Sequence, residues 1–198
     1  MKRFFTVLCL AAVAGFLTAP SAGAAENKYV GISGCAKCHK KEKQGAQLKI
    51  WQDSKHAEAY KALGTAEAKK RAKTVGVTGD PQKSEACLIC HTTGYGSPKS
   101  QFDKKFKISD GVQCESCHGA GEKYKKKKIM KAIFDESGRD NKGDSPTAKK
   151  TGLIFPDENT CKTCHAKEIT FNGKTYKNPS YEEFDFKKRQ DEIKHPVP

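Results

Sequence analysis

The sequence is poor in the residues from which an ordinary core is made. Apolar residues form 36% of its 198 positions and aromatic residues 9%, and Trp51 is the single tryptophan. That is little for a chain that must build its core from side chains alone. Beyond residue 24 no apolar run is long enough to span a bilayer, so no membrane span is expected there. Acidic residues are outnumbered, 23 Asp and Glu against 37 Lys and Arg, for a formal charge of +14. Histidine occurs six times and methionine twice. No Ser/His/Asp grouping or carboxylate pair stands out, so no catalytic residue is assigned.

What is present begins with a leader. Lys2 and Arg3 form a positive start, residues 4–17 an apolar stretch, and Ala22-Gly23-Ala24 a small-residue cleavage site. Residues 1–24 therefore read as an export signal that is removed. Cys9 lies inside it, without the leucine three residues earlier that marks a lipoprotein, and leaves with it. Residues 25–198 are of single-domain length and are expected in the periplasm, with release from the cell as the alternative.

Eight cysteines remain, and four copies of one motif use them all: Cys35-Ala36-Lys37-Cys38-His39, Cys87-Leu88-Ile89-Cys90-His91, Cys114-Glu115-Ser116-Cys117-His118 and Cys161-Lys162-Thr163-Cys164-His165. C-x-x-C-H is the attachment sequence of haem c. Two thiols three residues apart form thioethers to the porphyrin vinyl groups, and the next residue presents an imidazole to the iron. Structural zinc needs four protein ligands and gives no reason for a histidine after every second cysteine. A thioredoxin-like site occurs once, beside a strand and helix, not four times in a lysine-rich chain. The motifs thus imply four covalently attached haem c groups and leave no thiol for disulfides.

Four large apolar macrocycles also supply the missing core. The expected fold is mainly α with extensive loops, one domain built around the haems, and little or no sheet. Loss of Lys2 and Arg3 leaves +12, and eight haem propionates reduce but do not cancel it. In an exported protein this excess points to redox partners with acidic docking surfaces, or to an anionic small molecule, rather than to nucleic acid.

Along the chain, residues 26–34 read as a short arm, 40–51 as a charged helix, 54–64 as a second helix and 66–73 as a third. Residues 92–110 read as loop, 123–134 as a basic stretch with an apolar end, 136–159 as loop and 171–181 as irregular. A final helix is expected over 182–194. Four irons offer eight axial positions, of which His39, His91, His118 and His165 fill four. Only His56, His195 and Met130 remain as strong ligands. His56 shares a helical face with Tyr60 and Leu63 that can cover a haem. His195 stands near the C-terminus, and Met130 lies in an apolar run where methionine is more often core. Seven ligands for eight positions leave one site open.

These motifs, together with Trp51 followed by His56-Ala57, Gly111-Val112-Gln113 leading into CESCHGAG, and the Phe-rich segment before His195, make the chain resemble the tetrahaem cytochrome c-554 family of ammonia-oxidising bacteria. The resemblance implies that His56 pairs with His118 and His195 with His39, and that the iron of His91 lacks a strong distal ligand. The family's fourth haem takes a histidine from the segment after the third motif. Here that segment has none, and Met130 is assigned to the iron of His165, with Lys128, water or a ligand from another subunit as alternatives. A Lys, a Tyr or the mature N-terminal amine is the alternative to an open site at His91.

The reading that follows is a periplasmic tetrahaem cytochrome passing electrons between partners of a respiratory chain. A second reading is reduction of a small nitrogen compound such as nitric oxide at the open haem of His91. A third is a subunit of a conductive filament.

Overall fold

A computed structural model describes residues 27–138 and 144–196. The leader and its cleavage site lie outside the described residues. The chain is mainly helical with long loops, and its described strands form one two-stranded hairpin.

Four short helices carry the repeated motif: α1 (Ile32–His39), α5 (Glu85–His91), α6 (Cys114–His118) and α9 (Glu158–Lys162). Between them lie α2 (Gln47–Gln52), α3 (Ala59–Ala62), α4 (Ala66–Thr74), α7 (Lys127–Ser137) and α8 (Pro146–Thr151), followed by β1 (Glu168–Phe171), β2 (Lys174–Lys177) and α10 (Phe186–Gln190). Residues three and four apart share a helix face. One helical turn therefore puts both cysteines and the histidine of each motif on a single side. In the fourth motif α9 ends at Lys162, and the turn continues through Cys164 and His165, whose N–H groups both donate to Cys161 O at 3.2 and 3.0 Å.

Local chemistry explains the element ends. Thr65 caps α4 through Ala68 N, and Asp157 with Thr160 makes a reciprocal cap on α9. The helix expected over 40–51 is interrupted because Gly45 and Ala46 both take left-handed backbone, at φ 92° and 47°. A Cβ at Gly45 would stand 2.6 Å from Pro196 O, so the break admits the C-terminal tail. Within the expected loop 136–159, Ser145 caps α8 with Pro146 in its first turn. The expected final helix is reduced to α10. Asn172 and Gly173, at φ 48° and 73°, turn β1 back on β2 in the antiparallel register Ile169–Tyr176, where irregular chain was expected.

The arm near residue 29 does pair. Tyr29 N donates to Gln101 O at 2.7 Å, Asp103 N donates to Tyr29 O at 2.9 Å, and the Tyr29 ring stacks on Phe102 at 5.4 Å. Buried apolar side chains among the described residues are few: Val30, Leu63, Ala72, Leu88, Tyr124, Ile133 and Ala148. Tyr124, Ile133 and Ala148 form one cluster between α7 and α8, with Met130, Leu153 and Phe155 against it.

Candidate haem-attachment centre

The third motif is the hub. Its lead-in segment is fixed by Trp51 Nε1 donating to Val112 O at 2.7 Å and by Val112 N donating to His56 O at 3.1 Å. A Cβ at Gly111, whose φ is 71°, would meet His56 O at 2.9 Å. Gln113 accepts from Ile32 N at 3.2 Å and donates to Lys107 O at 2.9 Å, tying the start of α1 to this segment. Thr93 bonds Gly111 O, Ser116 Oγ and Gln113 N from the loop after the second motif. Val30 and Gly31 are clasped by Glu115.

These ties hold the first, second and third motifs together, and the attachment cysteines show which motifs adjoin, the fourth included. The thiols of Cys35 and Cys114 are neighbours, as are those of Cys90 and Cys164. Cys117 lies in the field of Cys161 and Cys164. The motifs are thus joined first to third, third to fourth, and fourth to second. All eight described cysteines are free of disulfides. Burial pushes the Cys117 thiol up to about 11, while the hydrogen bond with Cys90 brings Cys164 down.

The imidazoles suit an iron-bound cofactor. His91 Nδ1 lies 2.8 Å from Ala59 O and His118 Nδ1 3.0 Å from Ile154 O. A carbonyl only accepts, so each Nδ1 carries the proton and each Nε2 keeps its lone pair for a metal. His39 Nδ1 makes the same kind of bond to Gln47 Oε1 at 3.2 Å, and Gln47 Nε2 in turn donates to Pro196 O at 3.0 Å. Burial depresses the pKa of His56, His165 and His195, and takes His118 down to about 4. In all four, burial thus favours the neutral imidazole, the form that ligates metal. His195 Nδ1 is buried without a hydrogen-bond partner. Among the described residues no three His, Cys, Asp or Glu side chains converge to hold a bare metal ion. The donor set fits haem c, held by thioethers and axial imidazoles.

The two histidines outside the motifs are placed against motif histidines. His56 and His165 have ring centroids 6.0 Å apart, and His118 and His195 5.9 Å apart. Two imidazoles facing one metal, each nitrogen about 2 Å from it, have ring centres roughly 6 Å apart. The resemblance implies a different pairing, His56 with His118 and His195 with His39. His39 does lie within the field of both His118 and His195. Met130 packs in the cluster of Tyr124, Ile133 and Ala148, whereas the neighbours of the His165 ring are His56 and, stacked at 4.8 Å, Phe184.

Some of the supporting groups carry little sequence signal. Gln47 and the carbonyls of Ala59 and Ile154 orient motif histidines by tertiary contact, which no spacing reveals. Glu115 is different, since it stands inside a motif and was visible there.

Motif-bearing turns that present paired thiols and a neutral imidazole, on a mainly helical chain, define a c-type cytochrome, a protein that holds haem c covalently and transfers electrons. A family model described as cytochrome c554 and c-prime matches residues 34–119. The chain is 31% identical over 183 residues to cytochrome c-554 of Nitrosomonas europaea, an alignment covering 89% of this chain and 73% of that protein. The chain belongs to the cytochrome c-554 family. No solved structure matches it.

Proposed function

We propose that residues 25–198 form one exported domain that carries four haem c groups and relays electrons between periplasmic partners of a respiratory chain. The observation that carries this reading is the adjacency of the attachment cysteines: Cys35 beside Cys114, Cys117 near Cys161 and Cys164, and Cys164 beside Cys90. Four attachment points joined in sequence are what a multi-centre relay requires. When bound, each haem supplies an iron that cycles between ferric and ferrous states. The chain supplies the thioether sulfurs, the axial imidazoles and the surrounding charge.

Cys35, Cys38, Cys87, Cys90, Cys114, Cys117, Cys161 and Cys164 hold the groups, and His39, His91, His118 and His165 are the proximal ligands. The ring spacings favour His56 as the distal partner of His165 and His195 as that of His118. Met130 is then core. On this account His56→Ala adds one high-spin component to the ferric electron paramagnetic resonance spectrum, and Met130→Leu adds none. The opposite pattern would return Met130 to an iron.

The docking side lies beside the first and third motifs. Lys123 and the run Lys125, Lys126, Lys127 and Lys128 are exposed. Lys125 approaches α1, its Cδ 3.9 Å from where a Cβ on Gly34 would stand. A positive face next to an attachment site favours an acidic electron-transfer protein. Coulometric titration of the purified holoprotein tests the relay: four electrons per chain are expected, all recoverable by an acceptor, and uptake of fewer would contradict it.

A second reading, small-molecule reduction at the iron of His91, rests on the placement of both remaining imidazoles against other motifs, which leaves the irons of His39 and His91 without a distal imidazole, together with the vacancy that the family resemblance implies at His91. Nitric oxide binding by the reduced protein followed by turnover would favour it, and binding without turnover favours the carrier.

A further inference from the structure

Glu115 is an acidic side chain in an unusual place. It lies between the two cysteines of the third motif, and only 2% of its surface is exposed. Val30 N–H donates to both of its oxygens at 2.8 and 3.0 Å, Gly31 N–H to Oε2 at 2.8 Å, and Gly121 N–H to Oε1 at 2.7 Å. Every partner is a donor. Burial pushes the Glu115 carboxyl up, and the N–H groups of Val30, Gly121 and Gly31 act against that shift; the geometry favours the carboxylate, which uses such a ring of N–H groups fully, whereas a protonated acid would turn an O–H against one of them. A Cβ on Gly121 would stand 3.0 Å from Oε1, so the glycine after the motif leaves room for the clasp.

The charge is close to two attachment points. Its field opposes ionisation of both Cys35 and Cys114, the neighbouring thiols of the first and third motifs. One cation opposes it: Lys125, whose field reaches both Glu115 and Cys35. The two differ in solvation. Glu115 is buried, so water and salt screen it little, while Lys125 is exposed and screened.

We propose that Glu115 is a redox-tuning residue whose buried negative charge lowers the reduction potentials of the haems held by the first and third motifs. The inference rests on the haem reading given above. Reduction of a ferric haem adds one electron and removes one unit of positive charge. A fixed anion nearby stabilises the oxidised form and lowers the potential, and a fixed cation does the reverse. The residue would then have two roles, as a tie between the N-terminal arm and the third motif and as a source of field.

Spectroelectrochemical titration of the whole holoprotein separates these roles, because a purely structural tie leaves the potentials where they are. In Glu115→Gln, two of the four midpoints rise and the other two stay nearly fixed, and the rise persists when the salt concentration is increased. In Lys125→Gln, which leaves the clasp intact, the same two midpoints fall by less, and salt shrinks the change. Glu115→Gln with four haems and four unchanged midpoints overturns the proposal. If that variant does not mature, Lys125→Gln decides: a fall in two midpoints at low salt supports the proposal, and four unchanged midpoints overturn it. Intact mass of the wild-type sample tests the haem reading separately.

Discussion

The two halves of the protein hold their attachment sites by different means. Around the first and third motifs the ties are buried and polar: Thr93 and Gln113 are 1% exposed, and Glu115 2%. Thr93 also anchors the second motif, which it follows, and the remaining ties of the second and fourth motifs lie nearer the rim. Tyr176 on β2 donates to Glu85 at the start of α5, Lys174 pairs with Glu85 at 3.6 Å, and Tyr95 meets Phe171 at 5.8 Å. The side chain of Lys174 is 71% exposed and that of Glu85 32%. Buried polar groups are costly to disturb, because a lost partner strands a desolvated donor. Rim contacts are shared with water and contribute little. The first half is therefore the rigid platform, and the second is the half that tolerates change.

The charges differ in the same sense. Near the fourth motif they are paired, Lys162 with Glu158 at 2.7 Å and Arg189 with both Glu182 and Glu192. Near the first and third motifs the lysines of 125–128 face solvent, and none forms an ion pair among the described residues. A paired surface has little long-range field, whereas an unpaired one steers an acidic partner.

The largest expected effect comes from removing attachment sites. In the series of neighbouring cysteines the third motif stands between the first and the fourth, while the second stands at one end and reaches the third through Thr93 in the loop that follows it. Cys114→Ala with Cys117→Ala should leave no more than two haems on the chain, or no mature protein. Cys87→Ala with Cys90→Ala should leave three. Intact mass distinguishes the outcomes, and equal losses from both pairs would erase the difference between the halves.

Next in size is the clasp. Glu115→Ala strands the N–H groups of Val30, Gly31 and Gly121 and should cost about 3 kcal/mol in denaturant unfolding. Glu85→Ala on the other half should cost less than about 1 kcal/mol. Similar costs would show that burial does not separate the two.

Trp51→Phe removes one hydrogen bond, to Val112 O, and should cost about 1 kcal/mol. Its counterpart Tyr176→Phe should lower the melting temperature by less.

The smallest effect is kinetic. Replacing Lys126, Lys127 and Lys128 by Gln should slow reduction by an acidic donor protein about threefold at low salt, a difference that shrinks as salt rises. Replacing Lys174, Lys187 and Lys188 should change the rate less.

The attachment points were legible because C-x-x-C-H is a local motif whose chemistry lies within five residues. The class of fold was legible from composition. The hairpin over 168–177 was missed as irregular chain, although Asn172-Gly173 between Ile169, Thr170, Thr175 and Tyr176 is a hairpin signal, because the surrounding lysines mask the alternation. The break at Gly45 was not legible, since it answers to Pro196 at the far end of the chain. Nor was the placement of the His56 and His195 rings beside those of His165 and His118, because a lone histidine does not encode which of four motifs it will lie against. The Glu115 clasp falls between these cases. The residue stood in plain view within CESCH, but its partners Val30 and Gly31 are more than 80 positions away.

The central claim is that all four motifs are occupied, two in each half. Intact mass of the mature wild-type protein tests it most directly. The expected mass is that of residues 25–198 plus four haems, with no thiol reactive towards an alkylating reagent. A mass corresponding to three or fewer, with free thiols on the unoccupied motif, would contradict it.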